Sequence, residues 1–300
     1  MKPDLRTLDL NLLKTLDALL DERSVTRAAA RLSLTQPAVS GMLTRLRDNF
    51  GDPLFIRAPH GMVPTLRAQQ LAPVVKQILN DINTLLQPAQ FDPLTADFTF
   101  TLAATDYALK AVVVPFIAAL KVRAPMIRVR VIPVEPERLT AQFEQGKIDL
   151  ALLTPSTTPG DLHSRTLYEE RYVCMLRADH PDAQVPLSLD RFCALEHILV
   201  SYEGESFWGV TDDALAKVGR KRRVGLSVSS FLVLPEVLVV SDMIAVVPSR
   251  LARARASICV QEPPVAVHGF TKSMAWHERN HRDPAQQWLR ELLHETSQQA

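Results

Sequence analysis

Between residues 23 and 67 the charged side chains are Arg23, Arg27, Arg31, Arg45, Arg47, Arg57 and Arg67 against only Asp48 and Asp52, a local net charge of +5. A guanidinium is planar, permanently charged and forked, so this bias suits phosphate oxygens and guanine edges. The whole chain has 34 Lys+Arg and 33 Asp+Glu, net +1, so everything outside that segment sums to −4. A uniformly basic nucleic-acid wrapper and an acidic-tailed chain are both excluded, and a compact basic head on a mildly acidic body is expected.

The elements that must carry those arginines can be read from spacing. Leu12, Leu13, Leu16, Ala18, Leu19 and Leu20 recur with helical period, and Ser24 stands as N-cap before VTRAAARL, whose small alanines 28, 29 and 30 permit close helix packing. After Ser33-Leu34, Thr35 is a good N-cap and Pro37 falls in the first turn, so a third helix is predicted over 36 to 50. On it Val39, Leu43, Leu46 and Phe50 share one stripe, while Ser40, Gly41, Thr44 and Arg45 lie opposite. Helix-turn-helix recognition needs that division: one face packs and the other enters the major groove. Gly41 costs such a helix about 1 kcal/mol against Ala, which close approach of DNA explains; admission of a neighbouring helix is the alternative. Gly51 can close the helix, and DPLFIRAPHGMVPT around Pro59, His60 and Gly61 reads as a small β-hairpin wing.

The run from 24 to 65, SVTRAAARLSLTQPAVSGMLTRLRDNFGDPLFIRAPHGMVPT, resembles the winged helix-turn-helix of LysR-type transcriptional regulators, with the TQPAVS start and the GDPLFIR wing. The resemblance implies that Gln36, Pro37 and Ser40 approach bases, that Thr35, Arg45 and Arg31 meet phosphate or sugar, and that Arg57 enters the neighbouring minor groove. It covers nearly the whole chain, strongly through residue 70 and more diffusely beyond. The ending WHERNHRDPAQQWLREL is similar to the branch holding nodulation and salicylate-type regulators, whose effectors are aromatic.

From Thr65 to Gln87 the residues Leu71, Val75, Ile78, Ile82 and Leu85 alternate four and three apart, a heptad-like seam on a helix of about 34 Å. Pairing with a second chain is favoured over packing on its own domain, and in the resembling family this linker is the dimer contact. Pro73 should kink the helix or split it. Pro88 and Pro93 end the run, giving domain expectations of 1–65 for the head, 66–90 for the linker helix and 91–300 for an effector domain.

The last two hundred residues alternate strand and helix. TFTLAATD, IRVRVIPV and IDLALLT are strands separated by helices, and TLYEERYVCMLRAD, HILVS, RRVGLSVSS, DMIAVVP and TKSMAWHE supply further strands. An α/β fold with two lobes is expected, the first about 91–160 and 266–300, the second about 161–265. A ligand would lie beyond the carboxyl ends of the strands, at Thr105, Asp106, Thr154, Ser201, Tyr202, Ser229, Ser230 and Phe231. Thr105, Ser229 and Ser230 precede helices and could bind a carboxylate with the free backbone N–H groups, or simply cap those helices. The resemblance implies a periplasmic-binding-protein-like effector domain with the inducer between lobes, and a homodimer or tetramer with operator DNA and RNA polymerase as partners.

Other chemistries find less support. Gly204 to Thr211 has two glycines and a Thr but lacks the phosphate-reaching Lys of a P-loop, and no GxSxG elbow occurs. His277 and His281 are four apart but read as solvated loop residues, and GRKRRVG (219–225) reads as a solvated connection. Cys174, Cys193 and Cys259 are odd in number and widely spaced, which suits buried thiols in a reducing compartment. The N-terminal stretch carries acidic residues among its leucines and no apolar run approaches a membrane span, so a cytoplasmic, non-enzymatic protein without cofactor is expected. A non-regulatory small-molecule-binding protein and an α/β hydrolase are the competing classes.

Overall fold

The computed structural model describes residues 9–59, 61–86, 91–201, 206–252 and 256–299. The chain divides into two compact units, Met1–Ala89 and Gln90–Ala300. His60 and Tyr202 lie outside the described residues.

In the first unit, α1 (Leu10–Glu22) starts at Asp9, whose carboxylate accepts from the Asn11 N–H at 2.9 Å, and ends on Arg23 in the left-handed region. Ser24 caps α2 (Val25–Arg31), Thr35 caps α3 (Gln36–Phe50), and Gly51 closes α3 with φ 62°. The expected stripes meet: Leu12, Leu16, Leu19, Ala28, Val39 and Leu46 are fully buried together. The wing is β1 (Phe55–Ala58) paired antiparallel with β2 (Gly61–Pro64). It is pinned at both ends, by the Met62 N–H donating to Arg23 O at 3.1 Å and by Asp52, which accepts from Leu54 N and Thr65 Oγ1 at 2.7 Å each. A Cβ on Gly61 would sit 2.9 Å from Arg23 O, at φ 125°, so that position requires glycine.

α4 (Leu66–Leu86) is continuous through Pro73, so proline does not split it. Its seam divides. Ala68 and Val75 are buried, and Leu71 and Leu79 pack against the same core, on the side facing α1. Val74, Ile78 and Leu85 form a neighbouring stripe that stays exposed. Packing on its own unit therefore takes Leu71 and Val75, which the heptad reading assigned to a second chain.

In the second unit, one five-stranded sheet has the order β4 (Arg128–Ile132), β3 (Thr99–Ala103), β5 (Leu150–Leu153), β12 (Phe270–Trp276), β6 (His163–Glu170). The other runs β11 (Ile258–Gln261), β7 (Tyr172–Arg177), β10 (Ile244–Pro248), β8 (Glu196–Val200), β9 (Arg223–Val228). Flanking the first sheet, α5 (Asp106–Ala108) passes through a π-helical turn, Leu109–Val113, into α6 (Val114–Arg123), and α11 (Pro284–Gln299) packs beside α6. α7 (Leu139–Glu144) completes that lobe; α8 (Leu189–Ala194), α9 (Val210–Lys217) and α10 (Leu234–Val239) belong to the other.

Two expectations are corrected. TLYEERYVCMLRAD is not one strand: the chain leaves the first sheet at Glu170 and joins the second at Tyr172, so the lobe boundary lies at Arg171 rather than near 161. The sequence shows no break because no turn occurs there, only a change of sheet. GRKRRVG is not simply solvated either. Arg222 is buried, donates to both carboxylate oxygens of Asp212 at 2.7 and 3.0 Å, and contacts His197 Nδ1 at 3.2 Å. His197 Nε2 is 2.8 Å from Phe192 O, so Nε2 carries the proton, and burial pulls this imidazole down to about 4. A buried arginine is tolerable only with such a complete partner set.

Candidate DNA interface and effector cleft

The first unit presents a polar strip along α3. Thr35 Oγ1 accepts from the Ala38 N–H at 3.4 Å, while Gln36, Pro37, Ser40, Gly41, Thr44 and Arg45 are exposed and Val39, Leu43 and Leu46 are buried beneath them. A Cβ built on Gly41 meets nothing within 4 Å. Among the described residues no neighbouring helix needs the missing side chain, which removes the alternative reading of Gly41 within them. The roughly 1 kcal/mol of helix propensity forgone there is not explained by packing among the described residues.

The arginines separate into two groups. Arg31 donates to Asp21 at 2.8 Å and Asp17 at 3.4 Å on α1, and Asp21 also takes Lys76 of α4 at 3.0 Å. Those two cations hold the Asp21 carboxyl below its ordinary range. Arg47 donates to Pro53 O and Phe55 O at 2.8 and 3.2 Å and so fastens the wing to α3. Arg45, by contrast, is 57% exposed with Asp9 only at 4.0 Å, and Arg57 is exposed on β1 beside the tip of the wing. Arg31 would have to share any phosphate with Asp21; Arg45 and Arg57 are open to one.

In the second unit the strand directions locate the carboxyl edges of the two sheets. β3, β4 and β5 are parallel, as are β8, β9 and β10, while β12 and β7 run against them. The crossing at Arg171 therefore joins the carboxyl-end edge of one sheet to that of the other, and the return through 262–269 does the same. The two carboxyl edges face each other across these crossovers, where a ligand is expected in α/β folds. At Gly269 a Cβ would lie 1.9 Å from Glu170 O, so the crossing segments are in backbone contact.

Of the eight cleft residues named from the sequence, Asp106, Ser230 and Phe231 are brought into direct contact. Asp106 Oδ2 accepts from Ser230 Oγ at 2.7 Å and from the Phe231 N–H at 2.6 Å, and its Oδ1 accepts from Tyr107 N at 2.6 Å. A carboxylate of the first lobe thus occupies the hydroxyl and N–H donors of the second. Thr105 caps α5 through the Ala108 N–H at 3.3 Å, and Ser230 also accepts from Leu232 N at 3.1 Å. Thr154 is turned into its own loop, with Ser156 and Thr157 hydroxyls at 3.2 and 3.0 Å. Ser201 continues the ladder, its N–H donating to Val228 O at 2.9 Å, and Ser229 is exposed at the end of β9.

Beside that contact lies a buried polar network that sequence reasoning missed. Tyr107 donates to Glu170 Oε2 at 2.6 Å, so the 2.9 Å contact between the two phenols must be Tyr168 donating to Tyr107. Glu170 Oε1 accepts from Arg171 N, Ser249 N and Ser249 Oγ at 2.9, 3.1 and 2.6 Å, which ties the crossover to the end of β10. Burial pushes the Tyr168 phenol up to about 12 and raises Tyr107 further, so both stay protonated donors. Arg250 lies 3.6 Å above the Tyr168 ring. The only sequence signal was a tyrosine and a glutamate in an alternating strand. Asp106 and Tyr107 are adjacent, so the cleft contact and the crossover network share one helical start.

Cys174 is buried and its thiol is pushed up to about 12, which leaves it a poor nucleophile. Among the described residues no helix is long and apolar enough to cross a membrane.

Comparison with known proteins agrees with both units. Residues 10–69 match the family of bacterial regulatory helix-turn-helix proteins of the lysR type, and residues 97–298 match the LysR substrate binding domain. The chain is 39% identical to the HTH-type transcriptional activator NagR of Ralstonia sp, over 99% of this chain and 100% of the relative. It is 37% identical to the transcriptional activator NahR of Pseudomonas putida, over 97% and 98% of the two chains. A solved probable transcriptional regulator from Pseudomonas aeruginosa, 32% identical, superposes with a TM-score of 0.60 over 96% of this chain and 97% of that one. With an exposed polar strip along α3 in one unit and two five-stranded lobes in the other, the chain belongs to the LysR family of transcriptional regulators, DNA-binding proteins with an effector-binding domain.

Proposed function

We propose that two or four copies of this chain bind a pseudo-palindromic operator and that a small aromatic carboxylate, held between the lobes, shifts the assembly between two arrangements on DNA. One observation carries the proposal about control. The Asp106 carboxylate sits on the Ser230 hydroxyl and the Phe231 N–H, donors that a ligand carboxylate would use in the same way. An effector that binds one arrangement better than the other shifts the population by that difference alone. Thr105, Thr154, Ser201 and Ser229 complete the proposed lining among the described residues. The open stripe Val74, Ile78 and Leu85 on α4 is the proposed contact between copies, since an apolar stripe on an exposed helix favours a partner. The relatives named as transcriptional activators support activation, with RNA polymerase as a further partner.

On DNA, Gln36, Pro37 and Ser40 are the proposed base-facing residues, Thr35, Arg45 and Arg31 the backbone contacts, and Arg57 the minor-groove contact. Arg45→Ala should weaken promoter and random DNA alike and flatten the salt dependence by about 0.9 in slope. Gln36→Ala should instead weaken the promoter complex alone, by about 10- to 100-fold. Electrophoretic mobility titrations at several salt concentrations separate the two; equal loss on promoter and random DNA for Gln36→Ala would remove the readout role.

A further inference from the structure

The first lobe carries, at the far end of its edge strand, a group of side chains that neither DNA binding nor the cleft employs. His163 opens β6 opposite Trp276, the last residue of β12. Glu278 lies in the turn that follows β12, and His281 ends that turn before α11. His163 Nε2 is 2.5 Å from Glu278 Oε2, and the His163 and His281 rings stack at 4.1 Å with 15° between planes. Among the described residues this is the only trio of histidine, cysteine or carboxylate side chains whose donor atoms converge, all within 4.8 Å of one another. His277 and His281, expected as solvated loop residues, are both engaged: His277 Nδ1 accepts from Arg279 N at 3.2 Å and His281 Nδ1 from the Trp276 indole N–H at 3.1 Å. The ring stacked on His281, that of His163, comes from more than a hundred residues earlier in the chain.

We propose that His163, Glu278 and His281 bind a divalent transition-metal ion of the Zn2+ class. Two imidazoles and one carboxylate suit zinc, cobalt, nickel or copper, whereas magnesium and calcium take oxygen ligands. A tetrahedral ion with bonds of about 2.0–2.1 Å needs donor atoms roughly 3.3 Å apart. To share an ion the stacked imidazoles must turn out of parallel so that their in-plane lone pairs meet, and His163 and Glu278, 40% and 60% exposed, have room to do so. The backbone of the turn is held independently of the imidazoles. Arg290 donates to Asn280 O at 3.1 Å and His281 O at 2.8 Å, and its guanidinium lies 4.6 Å from the Trp276 ring centre. Three protein ligands leave a fourth position for water or for an acceptor atom from outside the chain.

Metal binding has a built-in reporter. The Trp276 indole N–H donates to His281 Nδ1 at 3.1 Å. An ion taking Nδ1 displaces that donor; an ion taking Nε2 moves the ring proton to Nδ1, where it opposes the indole N–H. Either event ends the hydrogen bond, so Trp276 emission changes on binding. Because ligating imidazoles must be deprotonated, protons leave the site and affinity falls in acid. The ion would join the edge strand β6 to the start of α11 and stabilise the lobe by mass action.

The test uses the full chain after chelator treatment and dialysis, titrated with Zn2+, with Mg2+ in parallel. At a hundredfold excess over Kd, Zn2+ should raise Tm by roughly 5–10 °C and change indole emission, with no response to Mg2+. Co2+ should give the visible absorption of a four-coordinate site. His163→Ala and Glu278→Gln should each weaken Zn2+ at least about tenfold while promoter binding is retained. If His163→Ala fails to fold, the exposed Glu278→Gln decides. Retention of the full Zn2+ response in Glu278→Gln, an equal response to Mg2+, or no response at about 1 mM Zn2+ overturns the site.

Discussion

Replacing Gly41 with Leu is expected to leave the N-terminal unit folded and to cut promoter affinity by about 100-fold. Among the described residues nothing lies within 4 Å of a Cβ at that position, and Gly41 is exposed, so a side chain there can extend into solvent. Helix propensity improves by roughly 1 kcal/mol over glycine, so thermal stability should rise slightly. Against DNA the same side chain stands among Gln36, Pro37, Ser40 and Arg45, on the strip proposed to enter the groove. Each spoiled base contact costs about 1–3 kcal/mol, and a leucine there obstructs more than one. A gain in stability together with a loss of promoter binding separates the recognition surface from the core; unchanged promoter affinity would place the DNA elsewhere.

The second large effect is expected at Asp106. Asp106→Asn keeps the shape but removes the charge that holds the Ser230 hydroxyl and the Phe231 N–H. Charge-assisted hydrogen bonds are about twice as strong as neutral ones, so the contact between lobes should weaken by roughly 1–3 kcal/mol. A ligand carboxylate competing for those donors also escapes repulsion by the Asp106 charge. Calorimetric titration with benzoate or a hydroxybenzoate should show affinity rising about tenfold or more, while the corresponding amide shows no such gain. Loss of carboxylate affinity in the variant would mean that Asp106 helps to build the ligand site and does not compete for it.

Local rules made much of the head legible. Ser24, Thr35 and Gly51 sit where caps were expected, and Val39, Leu43 and Leu46 face the core as the 3.6-residue period requires. Charge counting, however, cannot tell a phosphate-seeking arginine from one already engaged. Arg31 and Arg47 look like Arg45 and Arg57 in sequence, yet they fasten α2 and the wing through partners set by tertiary packing. The α4 stripe misled for a related reason. Leu71 and Val75 fit a heptad, but the same spacing serves packing on α1, and Val74, Ile78, Leu85 and Leu86 are left exposed for another chain.

In the effector domain the strand ends were found and the contacts between lobes were not. Asp106 and Ser230 lie 124 positions apart, Tyr107 and Glu170 63 apart, and no local pattern joins them. The run through Glu170 and Arg171 hid a change of sheet because both halves are good β sequence. Arg222 read as solvent-facing within a basic run, while Asp212 and His197, which make its burial possible, come from α9 and β8.

The most direct measurement is nuclease protection and bend angle on the protein's own promoter, with and without an aromatic carboxylate shown by calorimetry to bind the full chain. Specific protection of two half-sites that loses affinity steeply with salt, together with an altered footprint and bend at saturating ligand, is the expected result. Binding no tighter than to random DNA, or a footprint and bend that stay the same while the ligand is bound, would contradict an operator-reading head controlled from the cleft.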